Sequence, residues 1–462
     1  MALIGMLFRK VWAMILAPVI VATGVTASVV QLAGDDVIFV IPQASAYFDN
    51  EALQIGALSD AAPDPDAALA AGFSFVICDV DNATGADLLD TFDEKLGVIA
   101  KGYHATAMYD NVCDMGKGWW VDGVDTYKDH PALWGDFIVS QPKAFDKSED
   151  SGEAQNIFAN LGEVVNHYYS LTSDRVPFVN LYPLYANSEQ LGIGPDFGFL
   201  NFQKWLLPWT IYGNPARNQY RQYAAEYIKN VGADTVSVNF FPYEADGTKK
   251  VTKYDWLDNL DILATVCRDT NRKLWVVTQA APTSDAATKL RSADKKAEQL
   301  QQAYVALAFG AKAVIYDAGG VDWAVETTLV KSVKDVNAEL ALFADVYGDY
   351  DYLGSYLVNE RNAAGWKFPL TNGLPDSEKL NLNAGANGLL IGVFAAKDGG
   401  GRAYVITNMA EVSANNTARI SFTIPAGKTT TVYSTAGNVT YSNGRSIPLN
   451  LAPGEGRFIT VG

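Results

Sequence analysis

Apolar runs and helical patterns alternate along the chain between residues 55 and 348. Eight runs have strand character and cover residues 55–60, 73–81, 97–104, 133–141, 176–183, 234–244, 273–280 and 311–319. Segments with helical periodicity separate most of these runs, and one more follows the last run. Strands that alternate with helices favour a parallel sheet covered on both faces. The count and the length predict an α/β fold, a (β/α)8 TIM barrel. A doubly wound open sheet is the alternative, although no Gly-x-Gly-x-x-Gly follows the first strand.

The pattern changes after residue 350. Short segments of alternating apolar and polar residues follow one another there, separated by turns rich in Gly, Asn and Asp. Such a succession of short strands is typical of an all-β sandwich, here of about 110 residues. We therefore expect a barrel over residues 35–349 and a C-terminal β-sandwich over residues 350–462.

The first 34 residues have the pattern of a targeting segment. Arg9 and Lys10 precede an uncharged, largely apolar run that continues to residue 34, and residues 25–27 are small enough for cleavage. This pattern predicts a secretory signal peptide. An uncleaved signal anchor and a buried helix are the alternatives, because the run is also long enough to span a bilayer. The first two interpretations predict a secreted or cell-surface protein whose only membrane contact is this segment.

Charge and cysteine content restrict the class of partner. The chain has 35 Lys and Arg against 52 Asp and Glu, a formal charge of −17, which disfavours binding to a nucleic-acid backbone. Its three cysteines form no Cys-x-x-Cys pair, and its three histidines form no His-x-x-x-His. These absences argue against a disulfide framework and a zinc site, so we expect no metal and no cofactor. No pattern indicates an oligomeric state.

Polar and aromatic residues recur where the predicted strands end. Active sites of (β/α)8 barrels lie at the carboxyl ends of the strands, so these positions are candidates for ligand contacts. The candidate ligand-binding residues are Asp79, Asp81, Tyr109, Gln141, Asn180, Tyr182, Asn239, Tyr243, Gln279, Tyr316 and Trp323, and Asp60 and Asp110 also follow strands. Amides and carboxylates bond hydroxyl groups, and aromatic rings pack on sugar C–H faces. The predicted partner is therefore a carbohydrate, an oligo- or polysaccharide. Taken singly, such a residue can also be structural, as when Asp79 caps the next helix.

Several segments carry a resemblance to a known group of proteins. HPALWGDFIVSQP (130–142) resembles the HPAL-x-GY-x-x-x-DEP segment of (β/α)8 glycoside-hydrolase-like proteins. Further similar segments follow in the same order, among them PFVNLYP (177–183), DTVSVNFFPYE (234–244) and PGEGRFITV (453–461). The resemblance implies a barrel followed by a β-sandwich, and a protein that acts on glycans outside the cytoplasm.

The chain departs from this pattern where the resemblance implies catalytic carboxyl groups. It implies an acid/base Glu at the position of Gln141, and an Asp at the position of Asn239. A glutamine cannot deliver a proton as a carboxylic acid does. Either other carboxylates hydrolyse the glycan, or the protein binds glycans without hydrolysis, or the barrel is a structural scaffold.

For the hydrolytic interpretation, Glu244 and Asp317 are the preferred catalytic pair. Asp79, Asp81 and Asp110 are the other candidates. Glycoside hydrolysis requires two carboxyl groups that face each other across the ligand.

Overall fold

The structure is a computed structural model of the 462-residue chain. It describes residues 27–31, 38–42, 52–80, 84–92, 96–101, 127–147, 154–172, 174–194, 215–246, 249–253, 255–281, 293, 295–359, 370–413, 416–442 and 444–462. The candidates Asp81, Tyr109 and Asp110 and most of the N-terminal segment lie outside the described residues. No helix in the described ranges is long and apolar enough to cross a membrane.

Eight parallel strands close into a barrel, as the sequence predicts. They are β1 (Gln54–Ser59), β2 (Phe75–Asp79), β3 (Gly97–Lys101), β4 (Leu133–Ser140), β5 (Val176–Leu181), β6 (Thr235–Asn239), β7 (Lys273–Gln279) and β8 (Ala311–Gly319). Each strand pairs with the strands before and after it in the sequence, and β8 pairs with β1 to close the barrel. All eight carboxyl ends therefore meet at one mouth.

Helices flank the strands on the outside. They are α1 (Pro65–Ala70), α2 (Gly85–Phe92), α3 (Ile157–Leu171), α4 (Ser188–Leu191), α5 (Pro215–Asn230), α6 (Trp256–Asp269), α7 (Lys296–Ala308), α8 (Thr328–Ala341) and α9 (Ala344–Gly348). Several begin at side chains that accept a hydrogen bond from the first turn, such as Asp64 before α1 and Thr327 before α8. These caps satisfy backbone N–H groups that the helix itself leaves without a partner.

The interior of the barrel is filled by large apolar side chains. Phe75, Ile99, Phe178 and Trp275 form one buried cluster with their neighbours on the other strands. Glycines make room for these rings, because a Cβ at Gly56 would lie 2.4 Å from the ring of Phe75. The centre of the barrel is thus packed and largely apolar.

The chain after the barrel forms antiparallel sheets. Nine strands follow, β9 (Tyr350–Val358), β10 (Leu382–Asn383), β11 (Leu389–Ala396), β12 (Arg402–Asn408), β13 (Ala418–Thr423), β14 (Thr429–Val432), β15 (Val439–Ser442), β16 (Ser446–Leu451) and β17 (Gly456–Val461). Six of them form one sheet in the order β9-β11-β12-β17-β14-β15, and β10-β13-β16 form a second. A cluster of buried residues from both sheets lies between them, as in a sandwich. In the described residues the one helical turn of this region is a 3₁₀ turn at Asp376–Glu378.

Three two-stranded hairpins complete the described structure. Ala27–Gln31 pairs with Ile38–Pro42, Phe145–Lys147 with Ala154–Asn156, and Tyr243–Asp246 with Lys249–Thr252. The last hairpin directly follows β6 and extends the barrel mouth.

A buried polar joint links the barrel helices to the C-terminal sheets. Asp261 of α6 accepts hydrogen bonds from Arg217 of α5 at 2.8 Å and from Asn372 at 2.9 Å, and Asn372 also donates to the carbonyl of Ser355 in β9. These hydrogen bonds therefore connect the C-terminal sheets to the helices outside the barrel.

Candidate functional site

One side of the mouth carries four charged residues at the ends of neighbouring strands. Asp60 follows β1, Asp79 ends β2, Lys101 ends β3 and Asp317 lies near the end of β8. Lys101 Nζ lies 3.4 Å from Asp79 Oδ1, and the Asp79 side chain is 61% exposed. Because β8, β1, β2 and β3 are adjacent in the barrel, their ends form one continuous patch. We call these four residues the acidic cluster.

Asp317 is the residue of the acidic cluster with a perturbed proton affinity. Burial, with a smaller contribution from the negative charge of Asp60, raises the pKa of Asp317 to about 6, while Lys101 and a hydrogen bond from the Gly319 backbone act against the rise. The backbone brings the two aspartates together, because the Asp60 N–H donates to the Gly319 carbonyl at 3.0 Å. A carboxyl group with a raised pKa can serve as an acid in proton transfer.

The opposite side of the mouth carries amides instead of carboxyl groups. Gln141 Nε2 donates to Asn239 Oδ1 at 3.3 Å, and the Gln141 backbone N–H donates to the Asn180 carbonyl at 2.6 Å. Asn180 donates to Ser140 Oγ at 3.3 Å and accepts from Ser237 Oγ at 3.2 Å. The structure therefore brings together three of the expected residues, Gln141, Asn180 and Asn239, which we call the amide cluster.

Gln141 holds a backbone conformation that is unusual for its residue type. Its φ of 57° lies in the left-handed region, which costs a non-glycine residue about 1–2 kcal/mol. The surrounding hydrogen bonds to Asn180 and Asn239 keep the residue there. Strain of this kind is concentrated at functional sites, and it directs attention to the end of β4.

Glu244 belongs to a third group, on the hairpin that follows β6. Its Oε1 lies 2.5 Å from Lys253 Nζ, and this ammonium lies 4.8 Å from the ring centre of Tyr185. Tyr185 also contacts the ring of Phe240 edge-on, with the ring centres 5.1 Å apart. We call Tyr185, Glu244 and Lys253 the tyrosine platform.

The preferred pair of the sequence analysis is separated into two groups. The charges that act on Asp317 are those of Asp60 and Lys101, whereas Glu244 is paired with Lys253. Asp317 therefore has Asp60 as its neighbouring carboxyl group, whereas Glu244 forms its ion pair in the tyrosine platform.

Tyr243, after β6, and Gln279, at the end of β7, are too deeply buried for the ligand contacts that the sequence predicts. Tyr243 is fully buried, and its hydroxyl donates to Gln301 Oε1 at 2.9 Å on α7. Gln279 is also fully buried, with its amide bonded to both the N–H and the carbonyl of Tyr243. These side chains anchor the start of the hairpin to the outer helix layer, so they are not surfaces for a sugar.

Tyr316 and Trp323 are corrected in the same way. Successive residues of a strand face opposite sides, so in β8 Asp317 faces the mouth and Tyr316 faces the helices. The Tyr316 hydroxyl donates to Asn337 Oδ1 of α8 at 2.8 Å, and Trp323 packs edge-on against Phe73 with 1% exposure. Both side chains belong to the core.

Tyr182 and Asp79 remain partly accessible. Tyr182 is half-buried, and the hydroxyls of Tyr223 and Tyr220 bond its backbone N–H and carbonyl. Both residues are at strand ends, as expected. In the described residues no group of three or more His, Cys, Asp or Glu is arranged to hold a metal ion.

Sequence reasoning missed Lys101, Lys253 and Tyr185. Lys101 had a detectable signal, since it is the charged residue that ends the apolar run of β3. Tyr185 and Lys253 lie in connections between elements, where the alternation of strands and helices carries no information about side-chain position.

No family model matches the chain, and no curated protein matches it. Several solved structures of glycoside hydrolases are similar to it. A protein of Bacteroides fragilis assigned as an α-galactosidase has 11% identity and a TM-score of 0.42, over 89% of this chain and 79% of that one. α-L-Fucosidase isoenzyme 1 of Paenibacillus thiaminolyticus has 10% identity and a TM-score of 0.38, over 90% and 97% of the two chains. The fold of this chain is shown by its own strand pairing.

Proposed function

We propose that the protein acts on carbohydrate as a glycoside hydrolase-like enzyme, with Asp317 as the proton donor. The observation that carries this proposal is the raised pKa of Asp317, about 6, at the carboxyl end of a barrel strand and beside Asp60. The resemblance in sequence supplies the substrate class. At the position where the resemblance implies an acid/base Glu, this chain has Gln141, whose side chain is an amide.

The proposed reaction uses two carboxyl groups of the acidic cluster. Protonated Asp317 delivers its proton to the glycosidic oxygen as the bond to the sugar carbon breaks, and the leaving alcohol departs neutral. Asp60 stabilises the positive charge that develops on the sugar, and water completes the hydrolysis and returns a proton to Asp317. Lys101 and the amide cluster bond sugar hydroxyls.

A second candidate function has its own observation. Gln141 and Asn239 occupy the two positions where the resemblance implies carboxyl groups, and they bond each other at 3.3 Å. A mouth lined in this way binds hydroxyl groups without supplying a proton. A glycan-binding surface protein without hydrolysis is therefore the alternative.

The location of the protein is part of the proposal. We infer a secreted or cell-surface protein from the basic and apolar pattern of residues 9–34. Mass spectrometry of the protein from its native host checks this inference. A soluble cytoplasmic pool that retains Met1 contradicts it.

The test of hydrolysis is a pair of aspartate variants. Release of aryl alcohols and of reducing ends is measured on a panel of 4-nitrophenyl glycosides and oligosaccharides. Asp317→Asn is expected to lower kcat by about 10²–10⁴-fold, because the proton donor is lost. Asp335→Asn, an exposed aspartate on α8, is the matched control and keeps full activity. Equal activity of Asp317→Asn and wild type removes Asp317 from the mechanism, and a wild type that binds glycans but releases nothing favours the second function.

A further inference from the structure

Tyr185 differs from every other aromatic residue that the structure describes. It lies between β5 and α4, and it is 46% exposed. Among the aromatic residues whose burial the structure describes, Tyr185 is the only exposed one, and the others are buried or half-buried. Exposing part of an aromatic ring to water forgoes the gain from burying it, so a single exposed ring beside a mouth is a candidate ligand contact.

The surroundings of Tyr185 include an aromatic ring, one ammonium group and two carboxyl groups, those of Glu244 and Asp255. Phe240 packs against it edge-on, and the Lys253 ammonium lies near one face. Glu244 neutralises this ammonium, and both charged side chains are about one-quarter to one-third exposed. The tyrosine platform thus combines an apolar ring with N–H donors and carboxylate acceptors, and the nearby carboxyl group of Asp255 disfavours an anionic ligand. This combination suits a neutral sugar, whose ring has an apolar C–H face and hydroxyls at its rim.

The order of the strands places the platform across the mouth from the acidic cluster. The platform follows β5 and β6, and the acidic cluster lies at the ends of β8, β1, β2 and β3. In a closed barrel of eight strands, β5 and β6 are opposite β1 and β2. The amide cluster, on β4, β5 and β6, lies on the platform side. A ligand that touches both the platform and Asp317 must extend across the mouth.

We propose that the tyrosine platform is a binding subsite for a neutral, linear oligosaccharide, one sugar of which packs on Tyr185 while another lies at the acidic cluster. This inference rests on the proposed function for the position of the reacting bond. It adds the size and charge class of the substrate, and it assigns Glu244 and Lys253 to binding.

A similar trio of residues on the C-terminal sheets offers a matched control. Lys379 Nζ lies 5.3 Å from the ring centre of Tyr356 and 2.7 Å from Asp376 Oδ1. This trio also combines a tyrosine, a lysine and a carboxylate, but it belongs to the sandwich, and Tyr356 accepts a hydrogen bond from the Leu380 N–H. If removing a lysine–tyrosine contact weakened glycan binding nonspecifically, the substitution on the C-terminal sheets would weaken it as well.

The experiment measures the affinity of the full chain for cellohexaose, xylohexaose, mannohexaose and maltohexaose by isothermal titration calorimetry. For the hexasaccharide that binds, Tyr185→Ala is expected to weaken the affinity about tenfold, and Tyr185→Phe to retain most of it because the ring remains. Lys253→Met is expected to weaken it severalfold, whereas Lys379→Met leaves it unchanged. Hydrolysis of 4-nitrophenyl monosaccharides is expected to be equal in Lys379→Met and wild type, because Lys379 lies on the C-terminal sheets.

The outcomes separate this inference from the proposed function. If Asp317→Asn abolishes hydrolysis but Tyr185→Ala binds the hexasaccharide as wild type does, the subsite is refuted and the hydrolase stands. If nothing is hydrolysed but Tyr185→Ala loses affinity, the subsite stands and the hydrolase fails. A wild type that binds none of the four hexasaccharides overturns the subsite.

Discussion

The two sides of the barrel mouth use the same positions for different chemistry. On β8, β1, β2 and β3 the strand ends carry Asp317, Asp60, Asp79 and Lys101, and one of these carboxyl groups has a pKa raised to about 6. On β4, β5 and β6 the strand ends carry amides that bond one another and nearby serine hydroxyls. Since backbone geometry is shared, the difference comes from the side chains and from how deeply each is buried. In the proposed function, proton transfer and hydroxyl recognition therefore occupy separate halves of one site.

The largest expected effect comes from removing the second carboxylate of the acidic half. Asp60→Asn is expected to lower kcat about 10²-fold, because the charge that stabilises the transition state is lost. The sign of the pH effect follows from the pKa shift. Asp60 raises the pKa of Asp317, so its loss lowers that pKa, and the activity that requires protonated Asp317 declines at a lower pH than in wild type. A pH–rate profile of kcat tests this, and an unchanged upper limb would show that the two aspartates are not coupled.

An intermediate effect is expected from the amide half. Asn239→Ala removes the partner of Gln141 and one hydrogen-bonding group for a sugar, so glycan affinity should fall about threefold to tenfold. Calorimetric titration measures the affinity, and the exposed Asn438→Ala on the C-terminal sheets is the control. The pH profile should keep its shape, because Asn239 does not titrate. A shift of the profile equal to that of Asp60→Asn would break the division between the two halves.

The smallest effect is expected from Lys101. Its positive charge lowers the pKa of Asp317 against the stronger effect of burial, so Lys101→Met should raise that pKa. The upper limb of the pH–rate profile then moves to higher pH, opposite to the shift in Asp60→Asn. Lys331→Met, on the exposed face of α8, should leave the profile in place. A shift to lower pH in Lys101→Met would contradict the charge arrangement of the acidic cluster.

The fold was predictable to the level of individual strands. Each of the eight apolar runs overlaps a barrel strand, because a parallel strand covered on both faces needs a continuous apolar segment. The helix-free pattern after residue 350 likewise corresponds to the antiparallel sheets. Both results follow from local periodicity, which the sequence displays directly.

The site was predictable only as far as strand ends determine it. Gln141, Asn180 and Asn239 meet as expected, because parallel strands bring their carboxyl ends to the same mouth. Tyr243, at the start of the hairpin after β6, and Tyr316, near the end of β8, are instead buried against helices. The end of a strand fixes the position of a residue along the barrel axis. Whether its side chain faces the mouth or the helices depends also on the side of the strand from which it projects.

The sequence by itself determined the eight-stranded barrel, the sheets that follow it, and the absence of a carboxyl group at Gln141 and Asn239. Only the tertiary structure decided which charges are neighbours. Asp317 acquires its raised pKa from burial and from Asp60, a residue 257 positions earlier in the chain, and Glu244 forms an ion pair with Lys253, which directly follows the hairpin. Electrostatic interactions depend on distance and on exclusion of water, and both are set only when β8 closes onto β1.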